Sequence, residues 1–305
     1  MCNTQRNTEG RLLRLPEFEC LSPKTIKEAV GILEEKKDLA KIYAGGTDIL
    51  NQMKRRKITP KYLVNINNIE ELKNIYIKDN ELRIGAAVTL AQILNAKEVR
   101  EMYPIICEAT AFTATPQIRN TATMVGNLCN AVPSADTAPP LIALGARIKV
   151  VGVHGEREIP VEDFLTGPSR NALEPGEMAV EVIIPTKTGN GSYMKHQIRA
   201  EGDLAMVGVA VCLTFEDDKK TCKDAKIALG AVGPKPYRAV KAEQALIGKI
   251  IDNKLVECAA KIASEEAKPI SDIRASAEYR KEMVKVNTKR AINNILSEKK
   301  PNIIV

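Results

Sequence analysis

The chain of 305 residues contains no tryptophan, and aromatic residues make up only 4% of it. Proteins that bind single-stranded nucleic acids stack bases on aromatic side chains, so this scarcity argues against such a function. The net charge of +7 is mild and lies in mixed-sign segments such as residues 34–38, whereas a nucleic-acid-binding protein usually concentrates its positive charge. We therefore expect no nucleic-acid partner, and an anionic cofactor or an acidic protein surface accounts for the excess charge equally well.

Cysteines with metal-binding spacing are also missing. The seven cysteines include no C-x2-C pair, and the two histidines, His154 and His196, are too few to complete a metal cluster. No apolar run of about 18 residues is present that could span a membrane, and the N-terminal segment lacks the apolar region of a secretory signal. These absences predict free thiols in a reducing cytoplasm, no membrane span, and no metal or iron–sulfur site built from this chain alone.

Two common nucleotide-binding motifs, G-x-G-x-x-G and G-x-x-x-x-G-K-[ST], do not occur, so neither a Rossmann site nor a P-loop is expected. A different candidate is present. A predicted strand over residues 40–44 runs into Gly45-Gly46, and a helical pattern begins near Thr47 or Asp48. Glycines permit positive φ and close approach of a ligand, and successive N–H groups near a helix start form an anion-binding concavity. The pattern alone leaves an ordinary turn as the more frequent alternative.

Apolar periodicity predicts both helices and strands along the chain. Ser22 and Thr89 are predicted to cap the helices that follow them, and Asp79-Asn80 is predicted to form a hairpin turn. Residues 116–140 are rich in Thr, Asn, Ala and Pro and have weak periodicity. They predict a long loop that ends in a helix near Thr137 to Leu144, and a loop of that length inside a domain is usually functional.

A domain boundary is predicted between Thr186 and Ser192, a stretch with two glycines and no expected core residue. We predict a flexible tail at residues 1–13, a first domain at 14–187 and a second domain at 192–298. Three strand patterns followed by three helical patterns describe the second domain as a small α+β unit.

A second polar segment could face the Gly-Gly turn. It consists of TATMVGN at 121–127 and is followed by Pro133 and Asp136. Taken alone, it is more often a loop in which Asn and Asp form local turns and a helix cap.

Five sequence segments, in this order along the chain, together resemble a known protein family, whereas each one alone is not specific. They are AGGTD at 44–48, QIRN at 117–120, GNLCNAVPSADTAPPLIAL at 126–144, KHQIRAEGDLA at 195–205 and DIRASAEYR at 272–280. The chain resembles the FAD-binding subunit of the molybdenum hydroxylase, or xanthine dehydrogenase, family. That family includes the medium subunit of carbon monoxide dehydrogenase and the FAD subunit of nicotinate dehydrogenase, and the resemblance runs from about Pro16 to Leu296.

The resemblance implies an α+β fold with a two-lobed FAD-binding domain of the vanillyl-alcohol-oxidase (PCMH) type. A small α+β C-terminal flavoprotein domain would follow it. FAD would lie extended between the lobes and be held without a covalent bond.

The resemblance also implies which residues contact the cofactor. Main-chain N–H groups of one segment would wrap the pyrophosphate, namely Ile42, Tyr43, Ala44, Gly45, Gly46, Thr47, Asp48 and Ile49. A second wall would consist of Thr123, Gly126 and Asn127. The remaining contacts would be Thr113 through its backbone on the adenine side, Asp136 to cofactor hydroxyls, Ala179 at the isoalloxazine edge and Lys195 near the flavin ring. No catalytic residue and no metal ligand is implied.

Two of these positions carry an open question. Val125 stands where the family usually has glycine, so its side chain is expected to hold the second wall slightly farther from the phosphate. A cation at Lys195 would stabilise the anionic reduced flavin and raise its potential. The alternative for Lys195 is an ordinary exposed lysine on a strand.

The implied function is that of an electron-transfer subunit and oxidoreductase component. It would accept electrons from 2Fe-2S clusters on a small subunit, while a large subunit carries molybdopterin, and it would pass them to NAD+ or another acceptor. A dimer of heterotrimers is implied. Two alternatives stay open: a stand-alone flavin oxidoreductase of the same fold, and a non-catalytic nucleotide-binding or assembly protein.

Overall fold

The computed structural model describes residues 14–186 and 189–297. Its first lobe is a small sheet of three parallel strands, in the order β1-β3-β2, with two helices. The elements in chain order are β1 (Glu19–Leu21), α1 (Ile26–Lys36), β2 (Ala40–Tyr43), α2 (Ile49–Lys54) and β3 (Tyr62–Asn65). Because parallel strands need crossover connections, α1 and α2 link the strands and cover the sheet.

The first helix begins later than its sequence pattern suggests. Thr25, in extended conformation, is the cap, and its side chain accepts a hydrogen bond from the N–H of Glu28. The prediction that Ser22 caps this helix is wrong, because Thr25 stands directly before the first helical residue and satisfies an N–H group of the first turn. Ala29, Val30 and Leu33 form the buried face of α1, as their spacing indicates.

The second lobe is built on a five-stranded antiparallel sheet in the order β4-β5-β10-β6-β7. Its strands are β4 (Ile75–Lys78), β5 (Glu81–Gly85), β6 (Arg147–Gly152), β7 (Gly155–Pro160) and β10 (Met178–Pro185), and a separate two-stranded sheet contains β8 (Leu165–Gly167) and β9 (Arg170–Asn171). The hairpin predicted at Asp79-Asn80 is confirmed: both residues have positive φ, 52° and 57°, which is typical of a two-residue hairpin turn.

The helices of this lobe pack with the sheet in one apolar core. They are α3 (Leu90–Asn95), α4 (Lys97–Met102), α5 (Pro104–Phe112), α6 (Pro116–Arg119), α7 (Met124–Asn130), α8 (Ala138–Ala143) and α9 (Val161–Phe164). Thr89 caps α3 as predicted, in a reciprocal capping box with Gln92. The long loop predicted over residues 116–140 is wrong in detail, since α6 and α7 occupy much of it, whereas the helix predicted near Thr137 to Leu144 is confirmed as α8. Both α6 and α7 are too short to show a clear period in the sequence.

The C-terminal domain contains a four-stranded antiparallel sheet in the order β11-β12-β13-β14, covered by three helices. The elements are β11 (Asn190–His196), β12 (Val207–Phe215), β13 (Cys222–Gly230), β14 (Tyr237–Arg238), α10 (Val240–Leu246), α11 (Asn253–Glu266) and α12 (Ala277–Leu296). The predicted set of three strands is incomplete, because β14 has only two residues and no recognisable alternation. Ser192 is buried, so the end of the predicted boundary stretch belongs to the core of a strand.

The C-terminal sheet is buried on both faces. Val209 and Val211 of β12 pack in a cluster with α10–α12, whereas Ala210 and Cys212 belong to the large core shared by both lobes of the first domain. The two domains therefore share an apolar interface. The expected α+β class is confirmed. Among the described residues, no helix is long and apolar enough to cross a membrane.

Candidate functional site

The Gly-Gly turn after β2 lies directly against the second polar segment. A Cβ added to Gly45 would be 2.0 Å from the carbonyl oxygen of Thr121, and Gly46 has φ +73°. Because real Cβ atoms do not approach backbone oxygen so closely, only glycine permits this contact. The structure thus brings the two predicted walls of the cradle together at Gly45.

The turn offers a row of free main-chain donors. In the part of the chain that the structure describes, the N–H groups of Gly45, Gly46, Thr47 and Asp48 meet no acceptor, and the next bonded one is that of Leu50, which donates to Gly46. Backbone N–H groups normally find partners. Successive unpaired N–H groups in a turn that leads into a helix are suited to an anion such as a pyrophosphate.

Asparagine side chains hold the carbonyl groups of the same turn. Asn67 donates to the carbonyl of Ala44 at 2.9 Å, and Asn51 donates to that of Thr47 at 2.7 Å. Asn130 of α7 accepts from the side-chain amide of Gln52 at 3.2 Å and opposes the rise that burial causes in the pKa of Asp48. The sequence interpretation missed these supporting residues, because lone asparagines in loops and short helices carry no motif.

Thr123 organises the second wall as the cap of α7. Its hydroxyl oxygen accepts from the N–H of Gly126 at 3.0 Å. Asn127 uses its side-chain oxygen to accept from the hydroxyl of Thr137 at 2.7 Å. Val125 is only 3% exposed and packs in the core. The expectation that its side chain spaces the wall from the phosphate is therefore wrong, since that side chain points into the protein.

Asp136, next to Thr137, lies in a buried polar cluster with two residues of β11. Its carboxylate accepts from the hydroxyl of Tyr193 at 2.9 Å and from the ammonium of Lys195 at 2.9 Å. Burial raises the pKa of Asp136 although Lys195 opposes the shift. Burial and the nearby carboxylate raise the pKa of Tyr193 well above its usual value, which keeps its O–H a donor. Both oxygens of Asp136 retain lone pairs for a further donor.

Lys195 is not an exposed strand lysine, because its side chain is 0% exposed. Besides Asp136, its ammonium donates to the carbonyls of Phe112 at 2.9 Å and Asp203 at 2.7 Å. An ammonium has three N–H donors, so all are used within the protein. Lys195 can act on a neighbouring group through its charge, but a new hydrogen bond would require breaking one of these three.

The remaining residues that are predicted to contact the cofactor lie at the ends of helices and in strands. Thr113 is 8% exposed and follows α5, and its hydroxyl donates to the carbonyl of Ala109 at 2.8 Å. Ala179 is 3% exposed at a bulge in β10. Ile42 and Tyr43 pair with β3, and Ile49 begins α2. The second wall is linked through the hydrogen bond between Asn127 and Thr137 to the neighbouring Asp136, and from there through Lys195 to the carbonyl of Phe112. Ala179 packs in the large apolar core.

A half-buried carboxylate borders this cluster and predicts a pH dependence. Glu108 of α5 accepts from the N–H of Tyr193 at 2.7 Å, and burial raises its pKa from 4.5 to about 7. Because the folded state binds this proton more tightly, the stabilisation is complete below pH 4.5 and is lost as the pH rises through about 7. Glu108→Gln is expected to raise the melting temperature at pH 8 relative to wild type and to leave it nearly unchanged at pH 5.

The measurement is the melting temperature of both proteins from pH 5 to pH 8. The amide introduced by Glu108→Gln would keep an oxygen for the N–H of Tyr193, so the substitution isolates the charge. Glu101→Gln on the exposed face of α4 serves as the control, since the side chain of Glu101 is 65% exposed. Parallel curves for wild type and Glu108→Gln would show that Glu108 does not titrate in this range.

Comparison with known proteins identifies the family of this chain. Residues 16–187 match the family described as the FAD binding domain in molybdopterin dehydrogenase, which is more than half of the chain. The chain belongs to this family. Residues 192–295 match a second family model, the CO dehydrogenase flavoprotein C-terminal domain. The chain is therefore an FAD-binding flavoprotein and a component of an oxidoreductase.

Relatives of the same family align over nearly their whole length. The glyceraldehyde dehydrogenase medium chain of Sulfolobus acidocaldarius is 32% identical over 92% of this chain and 99% of its own. The carbon monoxide dehydrogenase medium chain of Afipia carboxidovorans is 33% identical, over 90% and 95%. The solved quinoline 2-oxidoreductase of Pseudomonas putida 86 is 30% identical with a TM-score of 0.88, over 94% and 100%. The resemblance found in the sequence and the implied two-domain fold are confirmed.

Proposed function

We propose that this chain is the electron-transferring FAD subunit of a multi-subunit molybdenum hydroxylase. The observation that carries the proposal is the row of four free N–H groups at Gly45–Asp48, held against the second wall. An FAD pyrophosphate is the dianion whose binding this arrangement supports. The match to medium chains over nearly their whole length supports the assignment to one subunit of a larger enzyme.

The residues present fit the cofactor and would hold it as follows. Main-chain groups of residues 42–49 would bind the pyrophosphate, and Thr123, Gly126 and Asn127 would close the other side. Asp136 would accept from cofactor hydroxyls with its remaining lone pairs. The backbone of Thr113 would contact the adenine side, Ala179 would border the flavin ring, and Lys195 would approach that ring together with its ion-pair partner Asp136. Bound FAD supplies the redox chemistry, and the protein supplies binding, orientation and electrostatics.

Partner subunits would supply the other redox groups. We propose a large subunit with molybdopterin and a small subunit with 2Fe-2S clusters, in a dimer of heterotrimers. This chain would receive electrons from the small subunit and deliver them to NAD+ or another acceptor. We propose that the complex is cytoplasmic.

Purification with and without partners is the test of this function. The isolated full-length chain is expected to carry FAD in a ratio near one to one and to hydroxylate no heterocycle. Co-expression with candidate large and small subunits from the same organism is expected to yield a complex with molybdenum and iron. The measurements are the flavin absorbance spectrum, metal analysis and a dye-reduction assay.

Three results would contradict the proposal. A colourless wild-type chain that takes up no added FAD would favour the non-catalytic nucleotide-binding or assembly protein. Oxidation of a substrate by the isolated chain would favour the stand-alone flavin oxidoreductase. A flavin-containing chain that assembles with no partner carrying molybdenum or iron would exclude the subunit role.

A further inference from the structure

Three consecutive carbonyl groups at the end of α5 are each held by a cation. Arg119 donates through Nη1 to the carbonyls of Ala111 at 2.9 Å and Thr113 at 3.2 Å. Lys195 donates to the carbonyl between them, that of Phe112, at 2.9 Å. Cations interact favourably with the carbonyl end of a helix. Two cations thus bind three successive carbonyl groups at the end of a nine-residue helix.

The two cations differ in their counter-charges. Lys195 forms a buried ion pair with Asp136, so its charge is largely neutralised within the protein. Arg119 bonds carbonyl oxygens through Nη1 and forms no ion pair with any carboxylate in residues 14–186 and 189–297. An arginine keeps its charge at every physiological pH. The net positive charge beside Thr113 therefore belongs to Arg119.

Arg119 also lies close to the other wall of the cradle. It is half-buried near the end of α6, two residues before Thr121, whose carbonyl touches Gly45. The N–H groups of Thr121 and Ala122 both donate to the carbonyl of Ile118, so this short turn is well ordered. Arg119 thus bridges the segment at Thr113 and the segment that contacts the Gly-Gly turn.

We propose that Arg119 is the positioning residue that supplies the uncompensated positive charge of the cofactor site. It fixes the loop at Thr113 and attracts an anionic group of the dinucleotide, either its pyrophosphate or the anionic reduced flavin. This inference rests on the proposed function. The role of the potential-raising cation that the sequence assigned to Lys195 then passes to Arg119, because Asp136 already neutralises Lys195.

Arg119→Gln in the full-length chain is the test, since glutamine removes the charge but can still donate to one carbonyl. The measurements are the dissociation constants of FAD and ADP for the apoprotein, the two-electron midpoint potential of bound FAD, and the melting temperature. Arg119→Lys restores the charge. Arg100→Gln on α4 makes the same change in net charge at an exposed arginine.

Arg119→Gln is expected to weaken FAD binding by about tenfold or more, as for loss of a charged interaction. Arg119→Lys is expected to recover most of that affinity, and Arg100→Gln to match wild type. If the charge acts on the pyrophosphate, the affinity for ADP falls by the same factor as that for FAD, and the midpoint potential of bound FAD does not change. If it acts on the flavin, the potential falls by about 30 mV for each tenfold excess loss of reduced over oxidised FAD.

Other outcomes overturn the inference. If Arg119→Gln and Arg119→Lys lower the melting temperature alike while FAD affinity and potential match wild type, Arg119 only ends α5. If Arg119→Gln and Arg100→Gln give the same values in every measurement, the charge of Arg119 does not act on the cofactor. A wild-type chain without FAD affinity would instead refute the proposed function, and that result is seen before any variant is compared.

Discussion

Gly45→Ala is expected to lower FAD affinity by roughly 100-fold or more, because separating the walls removes main-chain hydrogen bonds to the charged pyrophosphate, each worth about 1.5–3 kcal/mol. The new Cβ would meet the carbonyl oxygen of Thr121 at 2.0 Å and two further backbone atoms within 2.9 Å. Backbone atoms cannot rotate away as a side chain can, so the two walls must separate. The measurements are the flavin content of the purified chain and its FAD dissociation constant.

Gly31→Ala is the matched control for this substitution. Gly31 lies inside α1 of the same lobe, and a Cβ there would meet nothing within 4 Å. Alanine in a helix interior is favoured over glycine by about 0.5–1 kcal/mol, so this variant should bind FAD normally and melt slightly higher. Normal FAD affinity in Gly45→Ala would mean that the contact between the walls is not needed for binding.

Asp136→Ala is expected to destabilise the protein by about 3–5 kcal/mol, the usual cost of leaving a buried charge without its partner. The side chains of Lys195 and Asp136 are 0% and 7% exposed, so water cannot replace the lost carboxylate. The hydroxyl of Tyr193 would lose its acceptor as well. Urea-induced unfolding at pH 7 measures the change in the free energy of unfolding.

A double variant separates the cost of the buried charge from that of lost packing. Asp136→Ala combined with Lys195→Met leaves no buried ion, so it should be more stable than Asp136→Ala alone. Glu101→Ala in the exposed pair with Lys97, whose side chains are 65% and 80% exposed, should change stability by no more than about 1 kcal/mol. A double variant less stable than Asp136→Ala would argue against the buried charge as the cause.

Elements fixed by short-range chemistry could be predicted from the sequence. The turn at Asp79-Asn80 and the capping box at Thr89 depend on residues within four positions of each other. The helices over residues 116–130 could not be predicted in the same way. They are four and seven residues long, and helices this short are stable mainly through packing against the rest of the protein.

The candidate site shows the same division. The Gly-Gly turn could be found because its φ angles and close approach demand glycine, and the ordered blocks identified the family. The inward direction of Val125 could not be found, since the residue type does not tell which side of a seven-residue helix faces the core. Asn67 and Arg119 were missed as supporting residues for a related reason: their partners are carbonyl groups, which every residue carries.

The sequence by itself determined the family, the α+β class and the glycine turn, because these follow from local conformation and from ordered blocks of residues. Only the tertiary structure decided how the charges of the site are paired. Lys195 and Asp136 are 59 positions apart, and they meet because the C-terminal sheet packs on the helices of the first domain. That packing pairs Lys195 with Asp136 and leaves Arg119 without a carboxylate partner among the described residues, since burial and distance, not residue type, decide where a charge acts.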